Sequence, residues 1–290
     1  MGEPTVSNEY SGIRAFTVHR PLTMFLILTF GIGWAILTFP VLAHYGVIPG
    51  KDVPIEVYAL GTTLLVLLPS ALWVTWVLEG RAGVRALLAR TLRWRVSPVW
   101  YAVVLLGLPT LTVLAGVIAG GSFNSSKLGS SLLNQGIQIL LAALVINIWE
   151  ETAWAGFFQT RLEQRHNLFV AAALTAIPFA GVHAPLLLVD DKNVLTGYGS
   201  LLLLGVLVRL MMGVTLRAVG DSVLLVGLLH SVFNQSNNST GIVADLLTTD
   251  IDRQIFATVA AAVLTGILAW VARDRLGRRH RQTELVRPAA

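Results

Sequence analysis

Apolar stretches alternate with short polar loops along the whole chain, and several of them reach the roughly 20 residues needed to cross a bilayer. Their spacing predicts about eight membrane-spanning helices, near residues 21–45, 55–79, 98–119, 132–160, 168–189, 197–217, 222–236 and 254–272. The seventh is short and polar at its C-terminal end, so it is expected to lie inside the protein rather than against lipid. No linker long enough to divide domains interrupts the pattern, and no repeat is visible. The expected architecture is all-α: one polytopic transmembrane helical bundle over residues 1–290. The first span lacks a small-residue cleavage site and reads as a retained anchor. Leucines and arginines at helical spacing in "VRALLARTLRWRV" predict a segment lying flat on the inner leaflet.

Composition agrees with this reading. Hydrophobic residues make up 54% and charged residues 13% of the 290, against about 25% charged in soluble domains. With no cysteine, disulfide and thiolate chemistry are excluded. The high basicity does not indicate nucleic acid, because the arginines sit in short loops between apolar runs. Arg14 and Arg20 precede the first span, and Arg81, Arg85, Arg90, Arg93 and Arg95 fill the second loop. Arg161, Arg165 and Arg217 follow later spans, and Arg273, Arg275, Arg278, Arg279 and Arg281 close the chain. These are alternate loops. The others, around Lys51, Lys127, Asp190–Lys192 and Asp245–Arg253, are poorer in positive charge. Positive loops stay in the cytoplasm, which predicts both termini inside. Arginine far exceeds lysine, which fits a prokaryotic source and hence a bacterial inner membrane as the expected location.

Ionisable residues within spans are costly and mark functional positions. They are Glu150 and Glu151 in "NIWEETAWAGFFQTR", His183 in "FAGVHAP", Arg209 in "LVRLMMG" and His230 in "HSVFN"; Asn234 follows His230 by one helical turn. At 1.5 Å per residue, Glu150 lies roughly 16 Å above Arg161, His230 roughly 14 Å above Asp221 and His183 roughly 21 Å above Phe169. Acid and imidazole on three spans thus share the middle of a ~30 Å hydrocarbon layer. Gly205 and Gly213 read as points of close helix approach, and Trp149 and Trp154 as packing residues.

"EETAWAG", "FAGVH" and "HSVFN", in that order on successive spans, resemble the EExxxR, FxxxH and HxxxN/D motifs of the CPBP family of CAAX-processing and bacteriocin-processing intramembrane proteases (also called ABI). The resemblance covers roughly residues 130–240. It implies an intramembrane endopeptidase acting on a peptide or membrane-protein substrate near the membrane surface. Glu150, His183, His230 and Asn234 then take the catalytic positions, and Glu151 is a supporting carboxylate. One motif position departs from the family: the arginine falls on Ala155. Glu151 must then be protonated, or be paired from elsewhere, with Arg209 the available cation; otherwise the site has decayed.

The chemistry of these groups is consistent with hydrolysis. A carboxylate serves as general base to a water, an imidazole orients water, shuttles a proton or ligates a metal, and an asparagine amide donates to an oxyanion. His183, His230 and Glu150 also suit zinc with an open position, although HExxH is absent. Zinc and a metal-independent glutamate–histidine mechanism both remain open at the sequence level. Two other classes share the same residues: a proton-coupled transporter, against which the lack of an inverted repeat speaks, and a non-catalytic scaffold or immunity protein.

Overall fold

The computed structural model describes residues 12–51, 53–189 and 193–274. The expectations placed on Asp190–Lys192, on Arg275, Arg278, Arg279 and Arg281, and on the two termini lie outside the described residues. The chain forms helices α1 (Ile13–His19), α2 (Pro21–His44), α3 (Ile55–Thr91), α4 (Pro98–Ile118) and α5 (Ser125–Leu162). They are followed by α6 (Leu168–Leu188), α7 (Val194–Ala218), α8 (Val223–Asn237), α9 (Ile242–Leu246) and α10 (Arg253–Val271). Seven of these are long and apolar enough to cross a membrane, and the structure is an all-α polytopic bundle. The remaining expected span, the seventh, is α8. Its 15 residues reach only about 22 Å, and it is buried along nearly its whole length.

Helix starts follow local chemistry. Pro21 and Pro98 open α2 and α4 at positions where a missing N–H costs nothing. Asn167, Asn193, Ser222 and Asp252 cap α6, α7, α8 and α10 by accepting backbone N–H bonds. A two-residue antiparallel pairing, Ser122–Phe123 with Leu247–Thr248, joins the loop after α4 to the loop after α9. Hydropathy alone gave no sign of it.

α3 is broken at Gly80, whose φ of 63° and ψ of −159° suit glycine, next to the expected end of the second span at 79, and a helical arm runs on from there to Thr91. The arm beyond the break packs one face on the end of α5. Leu87 is buried, Thr91 Oγ1 lies 3.0 Å from Thr152 Oγ1, and Arg90 Nη1 donates to Gly156 O at 3.1 Å. A Cβ on Gly205 would meet α6 in ordinary contact, 3.7 Å from Ala176 Cβ and 3.9 Å from its carbonyl oxygen, whereas one on Gly213 would run into the side-chain ends of Gln159 and Leu168.

Two apolar cores flank the site. One joins α4, α5, α7, α8 and α10; the other joins α2, α3, α5 and α6 around the fully buried Trp154. Phe25, Phe158 and Phe179 meet the Trp154 ring edge-on, with centroids 5.6, 5.7 and 5.8 Å away. Trp154 is thus a packing residue.

Candidate active site

α5 carries both glutamates, and it is not a regular α-helix there. Residues Ala143–Asn147 and Thr152–Gln159 are wound as π-helix on either side of Ile148–Glu151. The wider winding loosens the usual carbonyl pairing, and side chains take up the carbonyls. Trp149 Nε1 donates to Leu144 O at 2.8 Å, Thr152 Oγ1 to Ile148 O at 2.7 Å and Thr160 Oγ1 to Ala155 O at 2.6 Å.

Adjacent residues on a helix point about 100° apart, so the two acids enter different surroundings. Glu150 faces a cavity of about 440 Å³, which is also lined by His183, His230 and Asn234. Glu151 is fully buried behind it. There its Oε1 accepts two bonds, from Arg209 Nη2 at 2.5 Å and from His230 Nδ1 at 2.8 Å. Arg209, also fully buried, lies with its guanidinium carbon 4.7 Å from the Phe179 ring centroid. The carboxylate left without the motif arginine at Ala155 is therefore paired across the bundle, from α7.

Close approach of α5 and α8 sets this geometry. A Cβ on Gly227 would lie 2.6 Å from Ile148 Cα, so only glycine lets the two backbones meet. One turn on, Ser231 Oγ donates to Asn147 Oδ1 at 2.7 Å, and His230 reaches Glu151. Asn147 is itself buried and lines the cavity.

The imidazole tautomers follow from the partners. His183 Nδ1 lies 2.7 Å from Phe179 O. A carbonyl only accepts, so Nδ1 bears the proton and the neutral ring keeps its lone pair on Nε2. The same logic applies to His230, whose Nδ1 faces a carboxylate already held by an arginine. Phe179 separates the two rings, with centroids 4.9 Å from His183 and 6.3 Å from His230. Among the described residues no three His, Cys, Asp or Glu side chains gather closely enough to hold a metal ion. His183, His230 and Glu150 are suitable donors by type, but they share a wall rather than a point.

Sequence reasoning brought Glu150, Glu151, His183, Arg209, His230 and Asn234 forward, and the structure gathers all six in and immediately behind one cavity. It missed Asn147, Phe179 as a spacer, and Glu56. Asn147 was visible as a buried polar residue one turn before Glu151. Glu56 opens α3 at the cavity mouth, and nothing local in the sequence distinguishes it from a solvated helix start.

Carboxylate, imidazoles and amide around a half-enclosed cavity within a helical bundle define an integral membrane protein with a hydrolase-like site. Residues 132–236, which include all six, match the family described as type II CAAX prenyl endopeptidase Rce1-like. The match falls on the same stretch that carries the CPBP-like motifs, and its description is that of a membrane peptidase. Among curated proteins nothing matches the chain.

Proposed function

We propose that the protein is an intramembrane endopeptidase that hydrolyses a peptide bond near the membrane surface with a water activated by Glu150 and the two histidines. The observation that carries this is the sharing of one cavity by Glu150, His183, His230 and Asn234, with each imidazole tied by Nδ1 so that Nε2 remains an acceptor. Glu150 takes a proton as the water oxygen attacks the carbonyl carbon. The Asn234 amide donates to the oxyanion, a contribution typically worth ~100–1000-fold in rate. When the C–N bond breaks, the same proton passes to the amine nitrogen, with His183 and His230 orienting the water and relaying that proton. Glu151 and Arg209 act one step back, fixing the His230 ring. Their pairing supports an intact site over a decayed one. No step is routed through a metal.

The setting is an integral membrane protein; a bacterial inner membrane with cytoplasmic termini is part of the proposal, supported by the alternating arginine loops. The test is cleavage of a peptide library by purified protein, wild type beside Glu150→Gln. The proposal requires that the variant fold and cleave nothing. Flux of a small solute through liposomes that survives Glu150→Gln would favour a transporter. Function that persists in every polar variant of the cavity would favour a scaffold.

A further inference from the structure

The described residues that line the cavity reach one end of the bundle, at Glu56 and Asn238, and the charges at the two ends differ. α3, α5 and α7 begin at the cavity end, while α6 and α8 finish there, so Glu56, His183 and Asn238 lie at one level. Eleven arginines and four acids lie at the opposite end among the described residues, from Arg14 and Arg20 to Arg217 and Arg273. Among the described residues at the cavity end, only Lys51, Lys127 and Arg253 are cationic, against Glu56, Asp245, Asp250 and Asp252. The arginine-rich end is the one retained in the cytoplasm. The mouth therefore faces away from it.

The cavity's charge is also one-sided. None of its lining residues is lysine or arginine. Arg209, behind the cavity, is fully buried on Glu151. Glu150 forms the floor, and Glu56 stands exposed at the mouth among Gln235, Asn237 and Asn238. The free carboxylate of a protein C-terminus would meet two acids there and no counter-charge among the described lining residues. The rest of the wall, from Ala59, Ala142, Ile146, Leu201, Leu204 and Phe233, is apolar and suits a chain leaving the bilayer.

We infer that the substrate is an internal peptide segment on the outer, arginine-poor side of the membrane, with a lysine or arginine beside the scissile bond, and that Glu56 selects that cation. The inference rests on the peptidase reading of the cavity and names its substrate class. An exposed ion pair is worth up to about 1 kcal/mol, or about 5-fold. Wild type should therefore prefer a lysine-bearing peptide to its glutamate-bearing twin by about 5-fold in kcat/KM. Glu56→Lys turns attraction into repulsion and should move the ratio by about 25-fold in total, past unity.

The experiment uses matched peptide pairs with the full-length protein in detergent, with Glu150→Gln as control and Glu56→Gln as a milder variant whose ratio should fall towards one. The same lysine peptide is then added to intact cells and to permeabilised cells. Cleavage in both, with the ratio inverted by Glu56→Lys, is the expected result. A ratio unchanged by either Glu56 variant, or cleavage only after permeabilisation, overturns the inference while leaving the peptidase reading in place. Cleavage by Glu150→Gln at the wild-type rate, or no cleavage of any peptide by wild type, overturns the peptidase reading itself.

Discussion

Replacing Arg209 with alanine puts the most demanding load on the site as described. The guanidinium and the Glu151 carboxylate are both fully buried, 2.5 Å apart. Removing the cation leaves a carboxylate with only the His230 N–H for company. Breaking a buried pair from one side costs about 3–5 kcal/mol, and the lost contact with the Phe179 ring adds about 1–2 kcal/mol. Glu151→Gln should cost a comparable 3–5 kcal/mol, because it strands the arginine instead. In the double variant neither charge is stranded, so it should be more stable than the sum of the singles by about 2–3 kcal/mol. Unfolding in mixed detergent micelles, followed by tryptophan fluorescence, measures all four proteins; the chain has 8 tryptophans to report. Additivity to within about 0.5 kcal/mol would refute the pairing, and with it the idea that α7 supplies what Ala155 cannot.

Gly227→Ala drives a methyl to within 2.6 Å of Ile148 Cα; it should cost about 1–3 kcal/mol and reduce kcat more than it raises KM, since it separates His230 from Glu151. Peptide cleavage should survive exhaustive dialysis against chelator, as no three donors among the described residues gather for a metal; loss of activity restored by added zinc would bring His183, His230 and Glu150 together as ligands. Because the chain has no cysteine, single cysteines report orientation cleanly: Ser126→Cys should react with an impermeant maleimide on intact cells, and Arg165→Cys only after lysis.

Much of the bundle was legible because hydrocarbon thickness fixes helix length, so all eight expected spans have a helical counterpart within a few residues of the expected start. The break at Gly80 was legible from the glycine and the charge cluster, but the docking of the arm beyond it was not: Leu87 and Thr91 find a partner surface on α5 that only tertiary packing supplies. The site followed the same division. Glu150, His183 and His230 stood out because an ionisable group in lipid is expensive wherever it points. The division of roles between Glu150 and Glu151 came from the family resemblance alone, since physically it depends on π-winding and on Gly227 letting α8 close upon Ile148. Glu56 carried no cost at all, and so left no signal.

The shortness and burial of α8 bear on how the protein is made. A helix of 15 residues carrying His230, Ser231 and Asn234 is a poor candidate for partitioning from the translocon into lipid on its own. It has to be received by helices already in place. The order of synthesis suits this: α5 emerges first with Glu151 unpartnered, Arg209 follows 58 residues later and His230 79 residues later. Until α7 arrives, the nascent α5 holds a carboxyl that must stay protonated or near the water of the channel. Once Arg209 is there, the ionised pair becomes the docking point for α8. The final helix of the site is thus recruited by charge rather than by hydrophobicity, and the peptidase can have no active intermediate before α8 is in place.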